Sequence, residues 1–288
     1  MTHRDANDVR RVGVVGCGLM GSGIVEVAAR AGCAVTFVEG SDELVATGLE
    51  RIRGSLARAV DRGKLEDAER GALLERVDGA TSLRSLADAD LVIEAATEDL
   101  GAKLEIFRDL DGLTDPGTVL ASNTSSIPIV ELALATARPD RVVGMHFFNP
   151  PPVMPLLELI PALTTSEETL AFAAAVAERF GKTVVRAKDH AGFIVNRLLI
   201  PFLCDAARLL DDGFATREDI DTAVSLGLGY PMGPLSLADF IGIDTCVSIA
   251  DILYEEFGDP RYAAPPVMKR MVAAGHLGRK SGRGFYEY

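Results

Sequence analysis

A glycine-rich turn near the start of the chain constrains its fold more than any other feature. The apolar run 12–15 leads directly into Gly16-Cys17-Gly18-Leu19-Met20-Gly21, and a helical pattern begins at about Met20. Between a strand and a helix, the first glycine permits a tight turn, the second lets the backbone approach a pyrophosphate, and the third lets helix and strand pack closely. The N–H groups at the helix start then favour an anion. We therefore predict a dinucleotide-binding turn formed by Gly16, Gly18, Leu19, Met20 and Gly21.

A carboxylate follows at the end of the second predicted strand. Glu39 stands 18 residues after Gly21, where it can accept hydrogen bonds from the adenosine ribose hydroxyls and would repel a 2′-phosphate. Because Gly40-Ser41-Asp42 follow without an arginine to receive such a phosphate, we predict NAD rather than NADP as the cofactor. The alternative is a structural turn followed by a strand that ends in glutamate by chance.

Short β-branched runs alternate with helical patterns up to about residue 190, which is typical of a mostly parallel sheet with helices on both faces. The predicted strands are 12–15, 34–39, 91–95, 118–122, 141–146, 156–160 and 183–186. Beyond residue 189 the strand signal disappears, and the predicted helices are 193–212, 217–226, 237–257 and 264–274. We predict an α/β fold with a Rossmann-type doubly wound sheet in residues 1–189, carrying a projecting helical hairpin at about 42–76. An all-helical domain is predicted for residues 190–288.

Composition excludes several classes of function. The formal net charge of −13 argues against nucleic acid and anionic membrane surfaces as partners. The four cysteines, at positions 17, 33, 204 and 246, have neither metal-ligand nor disulfide spacing, so we expect no metal and the reduced thiols of a cytoplasmic protein. The first eleven residues lack the apolar core of a signal peptide, and no apolar stretch is long enough to span a membrane.

One histidine has the strongest claim to a catalytic role. His3 lies in a polar tail, His190 at the domain boundary and His276 in a glycine turn, whereas His146 ends a predicted strand, where open α/β sheets bind ligands. Oxidation of an alcohol by NAD needs such a group to take the hydroxyl proton. Twelve residues later, Glu158 interrupts an apolar strand, where a carboxylate needs a partner. We predict a His–Glu pair; the alternative is a solvated glutamate on an edge strand.

Two polar sites could contact a substrate. Small hydroxyl and amide side chains occupy 122–126, after a predicted strand, and could hold a substrate oxygen. The alternative there is capping of the next helix, which suits Ser126. Asn196 stands in the first turn of a long predicted helix, where polar residues are usually exposed or capping.

Several segments together resemble the short-chain L-3-hydroxyacyl-CoA dehydrogenase family. They are the glycine turn and the segments 122–126, 146–150, 152–154, 192–197, 231–234 and 280–286, in this order. The resemblance implies reversible NAD-dependent oxidation of an L-3-hydroxyacyl-CoA to a 3-ketoacyl-CoA, with 3-hydroxybutyryl-CoA and acetoacetyl-CoA as the expected pair. It also implies a homodimer formed through the C-terminal helical domain, and a cleft between the domains for NAD and the acyl-CoA.

The resemblance implies roles position by position. It gives His146 as the base, Glu158 as its orienting carboxylate, and Ser125 and Asn196 as substrate contacts. The further cofactor contacts that it implies are Glu98, Lys103, Asn123 and Asn149. The residues alone would make Glu98 and Lys103 a solvated helix start.

The family's two CoA contacts lie on the hairpin. Ser55 matches the first, whereas Arg62 stands where lysine is expected. Arginine keeps the charge and adds a fork that matches phosphate. Because a charged stretch is often only a solvated face, a direct CoA contact remains one of two readings.

Three alternatives stay open. The first is a dehydrogenase for 3-hydroxyadipyl-CoA, for longer 3-hydroxyacyl-CoA or for a free sugar acid. The second is a dehydrogenase of small 3-hydroxy acids that uses a helix-borne lysine as base, although no isolated lysine here competes with His146. The third is a non-catalytic NAD-binding structural protein, since a fold alone does not establish function.

Overall fold

Apolar runs that are buried on both faces form the central strands of a single eight-stranded sheet. The computed structural model describes residues 8–288, so His3 lies outside the described residues. The strands are β1 (Arg11–Val15), β2 (Ala34–Val38), β3 (Val77–Ala80), β4 (Leu91–Glu94), β5 (Val119–Ser122), β6 (Val142–Phe147), β7 (Leu156–Pro161) and β8 (Thr183–Arg186). Their order is β3-β2-β1-β4-β5-β6-β7-β8, and only β6 and β7 pair antiparallel among them. The predicted Rossmann-type, mostly parallel sheet is confirmed.

Six helices connect these strands. They are α1 (Leu19–Arg30), α2 (Asp42–Asp61), α3 (Asp67–Leu74), α4 (Leu100–Leu113), α5 (Ile129–Leu134) and α6 (Glu167–Arg179). Side-chain oxygens that accept from free N–H groups begin several of them: Ser41 caps α2, Asp99 caps α4 and Ser166 caps α6. Ser126 does not cap α5, contrary to the capping alternative, because the Asp189 carboxylate accepts from the first two N–H groups of that helix at 2.8 and 2.9 Å.

One strand escaped prediction. β3 contains Asp78 and Gly79, two residue types that are depleted in strands, and it forms the edge beside β2. The helices α2 and α3, which occupy the region of the predicted hairpin, therefore connect β2 to the edge strand β3. Gly48, Ile52 and Leu56 of α2 are buried.

The chain divides into two units, Met1–Asp189 and His190–Tyr288, and the second contains helices without strands in its secondary structure. They are α7 (Val195–Asp211), α8 (Arg217–Leu228), α9 (Pro234–Ile241), α10 (Ile243–Phe257) and α11 (Pro266–Ala273). The single helix predicted over 237–257 is wrong, since Gly242, with φ of +107°, separates α9 from α10. The helices share a core of their own that includes Leu203, Cys246 and Leu253.

The topology places several of the predicted site residues at one edge of the sheet. β1, β4, β5 and β6 are parallel, so the segments that follow them leave the sheet at the same edge. The strand order reverses between β1 and β4, which is where open α/β sheets bind ligands. None of the helices described within residues 8–288 combines the length and the apolar composition that a membrane span requires.

Candidate active site

The glycine turn after β1 is shaped for close approach of an anion. Gly16 has φ of +87°, and a Cβ built on Gly21 would lie 1.9 Å from the Gly16 carbonyl oxygen, so both positions require glycine. A Cβ on Gly18, in contrast, would meet nothing within 4 Å, which leaves the backbone there open. Gly18 begins α1 without a side-chain cap, and the first turn holds no acidic residue. These features fit the pyrophosphate of NAD.

Glu39, directly after β2, is tied to this turn. Its Oε1 accepts from the Cys17 N–H at 2.5 Å, which fixes the carboxylate beside the predicted ribose position. The sequence has no arginine in residues 40–42. The expectation that no arginine lies near Glu39 is nevertheless wrong, because the fold brings one from α2 to the same turn. Arg51 of α2 donates to the Cys17 carbonyl oxygen at 3.4 Å. The prediction of NAD therefore depends on the Glu39 charge and not on the absence of a cation.

The predicted histidine–glutamate pair is present. His146 in β6 and Glu158 in β7 are direct partners across the antiparallel ladder, so their side chains share one face of the sheet. His146 Nδ1 and Glu158 Oε2 are 2.7 Å apart, and the two residues are 6% and 1% exposed. Because β8 lies beyond β7, the alternative of a solvated edge-strand glutamate is wrong. An ionised carboxylate only accepts hydrogen bonds, so the Nδ1–H donates and fixes the tautomer.

The segment after β5 is held by one carboxylate. Glu98 Oε1 accepts from the Ser125 N–H at 2.9 Å and from the Ser125 hydroxyl at 3.3 Å. It also accepts from the hydroxyls of Thr124 and Ser126, at 2.6 and 3.0 Å. Burial acts to raise the pKa of Glu98, but the charge of Lys103 and these hydrogen bonds outweigh it and the net pKa is lowered. An ionised Glu98 therefore fixes Ser125 in place.

Behind this segment lies a buried ion pair that sequence reasoning missed. Lys103 Nζ lies 2.6 and 2.7 Å from the two Glu94 oxygens, and Lys103 and Glu94 are 1% and 0% exposed. Glu94 also accepts from the Ser122 hydroxyl at 2.6 Å and from the Ala96 N–H at 2.7 Å. The solvated alternative is therefore wrong for Lys103. The signal for Glu94 was available, because it ends an apolar strand as Glu158 interrupts one.

Two asparagines expected near the cofactor differ in their surroundings. Asn123 bridges neighbouring strand ends, since its N–H donates to the Glu94 carbonyl at 2.7 Å and its Oδ1 accepts from the Phe147 N–H at 2.9 Å. Asn149 is exposed, in the turn that follows β6. Of these two residues, only Asn123 is thus held by hydrogen bonds to strand ends at the edge of the sheet.

The turn between His146 and β7 is anchored on α1. A Cβ on Gly23 would lie 2.6 Å from Pro151 Cδ, so this glycine lets the turn pack directly on the helix. The Lys182 ammonium donates to the carbonyl oxygens of Pro151 and Met154, the latter at 2.8 Å. Burial lowers the pKa of Lys182. The turn that follows His146 and β6 is thereby held at its middle, by Pro151, and near its end, by Met154.

The remaining predicted contacts lie elsewhere. Ser55 is half-buried in α2 and Arg62 is exposed at its C-terminal end, seven positions on, so they share one face of the helix. Asn196 is half-buried in the first turn of α7, in the second unit. Among residues 8–288, no cluster of side chains suited to hold a metal ion was found.

Comparisons with known proteins match the whole architecture. The model of the 3-hydroxyacyl-CoA dehydrogenase NAD-binding domain matches residues 11–190, and that of the 3-hydroxyacyl-CoA dehydrogenase C-terminal domain matches 192–288. A 3-hydroxybutyryl-CoA dehydrogenase of Mycobacterium tuberculosis is 54% identical over 97% of this chain and 99% of its own.

Solved structures agree with these matches. M. tuberculosis FadB2 superposes with a TM-score of 0.96 at 53% identity, over 97% of this chain and 99% of its own. The (S)-3-hydroxybutyryl-CoA dehydrogenase PaaH1 of Ralstonia eutropha superposes with a TM-score of 0.93 at 46% identity, over 97% and 99% of the two chains.

Proposed function

The chain belongs to the 3-hydroxyacyl-CoA dehydrogenase family, and we propose that it catalyses the reversible oxidation of L-3-hydroxybutyryl-CoA to acetoacetyl-CoA. It is an oxidoreductase with NAD as its cofactor. The observation that carries the reaction is the buried His146–Glu158 pair, 2.7 Å apart at the end of β6. The names of the Mycobacterium and Ralstonia relatives support the four-carbon acyl group.

The His–Glu pair supplies the acid–base step. Bound NAD would supply the acceptor for the hydride that leaves C3 of the substrate. His146 takes the 3-hydroxyl proton at Nε2 while its Nδ1–H stays bonded to Glu158, whose charge stabilises the imidazolium. General acid–base catalysis of this kind contributes roughly a hundred- to ten-thousandfold in rate. In the reverse direction the same imidazolium returns the proton to the ketone oxygen.

Four side chains are proposed as substrate contacts. Ser125 would bind the substrate oxygen. Its N–H and its hydroxyl both donate to Glu98, and a group held in place in this way can stabilise charge on a substrate oxygen without rearranging, which supports the role. The role proposed for Asn196 rests on the resemblance of the segment 192–197. For the CoA moiety we propose Ser55 and Arg62, which share one face of α2 and could meet an anionic group together.

Cofactor contacts are proposed for the edge of the sheet. The open turn supports a role for Gly16, Gly18, Leu19, Met20 and Gly21 at the pyrophosphate. The remaining contacts proposed are Glu39 at the adenosine ribose and Glu98, Lys103, Asn123 and Asn149 near the nicotinamide half. Lys103 would act mainly by holding the two glutamates around it, given its burial.

The proposed assembly is a homodimer formed through the second unit. Large apolar side chains are exposed on its helices and turns: Leu198, Phe214, Leu226, Leu228, Tyr230 and Phe240. Where such side chains form one patch, the surface is typical of an interface. The proposed compartment is the cytoplasm, which the four free, buried thiols support. Sedimentation velocity tests the dimer, since a monomer of 30.6 kDa would refute it.

A specificity profile tests the function. NADH oxidation is followed by absorbance with 3-ketoacyl-CoA substrates from C4 to C16 and with 3-ketoadipyl-CoA, and we expect the highest kcat/KM with acetoacetyl-CoA. A maximum at a longer or dicarboxylic chain would refute the four-carbon assignment, and absence of turnover with all of them would refute the reaction.

Substitution of the base completes the test. His146→Gln should lower kcat about a hundredfold or more while the Kd for NADH stays within about twofold. His276→Gln, the same substitution in the second unit, serves as the matched control and should retain activity. Near wild-type turnover in His146→Gln would show that His146 is not the base.

A further inference from the structure

Arg51 is a charged residue near the cofactor turn that the proposed reaction does not use. It lies on α2, and its only hydrogen bond within residues 8–288 is the donation from Nη1 to the Cys17 carbonyl oxygen at 3.4 Å. No carboxylate of this described part lies within ion-pair distance of it. By comparison, the neighbouring Arg53 is paired with Glu50 at 2.7 Å.

Packing explains why Arg51 reaches the glycine turn. Gly48 is buried where α2 crosses the turn, and a Cβ there would lie 2.8 Å from the Cys17 sulfur. This close approach brings the helix backbone onto the turn. Arg51 follows one helical turn later, so its side chain extends over the Cys17 carbonyl oxygen.

Two opposite charges therefore flank a single residue. Glu39 accepts from the Cys17 N–H at 2.5 Å, while Arg51 donates to the carbonyl oxygen of the same residue. The amide nitrogen and the carbonyl oxygen of one residue are about 3 Å apart. Hence the carboxylate and the guanidinium both lie close to the glycine turn, beside the position predicted for the adenosine ribose. Their charges also act in opposite directions on the pKa of the Cys17 thiol: Glu39 raises it and Arg51 lowers it.

We propose that Arg51 is a second determinant of dinucleotide choice, masked by Glu39. In the wild-type chain the Glu39 carboxylate repels a 2′-phosphate and balances the arginine. When residue 39 is neutral, the planar guanidinium receives the 2′-phosphate with charge-assisted hydrogen bonds. The proposal rests on the assignment of NAD to this turn and adds a residue that sequence spacing concealed.

The test is a double-mutant cycle read by binding. Glu39→Gln keeps an amide oxygen that can accept from the Cys17 N–H, so it removes the charge with little change in shape. The four proteins are the wild type, Glu39→Gln, Arg51→Gln and the double variant, with Arg53→Gln added to Glu39→Gln as the control. Isothermal titration compares adenosine 2′,5′-bisphosphate with AMP, two probes that differ only in the 2′-phosphate.

We expect Glu39→Gln to improve the affinity ratio of bisphosphate over AMP by about tenfold or more, and added Arg51→Gln to remove most of that gain. Added Arg53→Gln should leave the gain within about twofold. The proposal is overturned if Arg51→Gln changes the ratio less than twofold in the Glu39→Gln background, or if Arg53→Gln has an equal effect. It is also overturned if Arg51→Gln raises only the KM for acetoacetyl-CoA, since Arg51 would then serve the substrate.

Two readouts separate this proposal from the proposed function. The titration needs no turnover, so it reports on Arg51 even if acetoacetyl-CoA is not the substrate. The wild type with NADH and acetoacetyl-CoA tests the reaction by itself. NADPH-dependent turnover of Glu39→Gln, about tenfold above that of the wild type, should follow the same pattern across the cycle.

Discussion

Replacement of Lys103 by methionine should be strongly destabilising, because it leaves the Glu94 carboxylate charged, buried and without its cation. Glu94 is 0% exposed and both its oxygens lie within 2.7 Å of the ammonium. After Lys103→Met, the Ser122 hydroxyl and the Ala96 N–H would remain as donors. These are neutral dipoles that cannot replace a cation in an interior of low dielectric.

The loss of the cation beside Glu94 sets the expected change in the free energy of unfolding. Removing one partner of a buried pair typically costs about 3–5 kcal/mol. For a folding unit of about 190 residues, each kcal/mol corresponds to roughly 2–4 °C, so the midpoint should fall by about 6–20 °C. Glu94→Gln should cost less, because Glu98 Oε2 lies 3.5 Å from Lys103 Nζ and still offers the ammonium a carboxylate. The double variant should cost less than the sum of the two, by about 2 kcal/mol or more, since it leaves no unpaired charge.

Urea unfolding of the four proteins measures the cycle. The m values must agree, so that the midpoints report stability and not a change in compactness. Exposed Lys269, paired with Asp251 at 2.8 Å, provides the control: Lys269→Met should cost less than about 1 kcal/mol. A cost below 1 kcal/mol for Lys103→Met, or strict additivity in the double variant, would refute the reasoning.

Three further predictions concern the site and the thiols. Glu158→Gln keeps an acceptor for His146 but removes its charge, so kcat should fall about tenfold or more in steady-state assays with NADH binding unchanged; equal kcat would contradict the charge-stabilising role. The folded-state pKa of Glu98 is depressed, so its stabilisation is full above the ordinary value of 4.5 and is lost as the pH falls through the lower folded value. The difference in unfolding free energy between wild type and Glu98→Gln should therefore shrink below about pH 4.5, and a difference independent of pH would contradict it. Burial raises the pKa of Cys17 to about 12 and that of Cys204 to about 11, so Ellman's reagent should label them only after unfolding, and rapid labelling of the native protein would refute their protection.

The sequence predicted features that depend on one strand end or one turn. The glycine turn, Glu39 and His146 were identified because each directly follows or ends an apolar run, and parallel strands deliver such positions to one edge. Glu158 was identified because a carboxylate in an apolar strand needs a partner. Here the antiparallel register makes His146 and Glu158 adjacent, and the residues between them are the connecting turn 148–155 with one residue of β6 and two of β7.

Features that depend on packing between distant elements were not predicted. Arg51 is 34 residues from Cys17, and its position depends on a glycine that lets α2 approach the turn. Lys103 has the sequence context of a solvated helix start. In the structure, however, α4 packs it against β4, where it forms an ion pair with Glu94. β3 was missed because Asp78 and Gly79 suit an edge, where backbone pairing does not need an apolar side chain.

The carboxylates at the edge of the sheet have partners of different chemical kinds, and this difference separates positioning from proton transfer. Glu39 is bound by a backbone N–H, Glu94 by an ammonium and Glu98 by hydroxyl and backbone groups. Glu158 is bound by His146, which is the one partner among them that exchanges a proton in the proposed reaction. The first three carboxylates thus hold their segments of the chain in place, and the fourth orients the base. Consequently substitution of His146 should lower kcat/KM for acetoacetyl-CoA while the Kd for NADH stays flat, because the proton that His146 exchanges is the one that the reaction consumes.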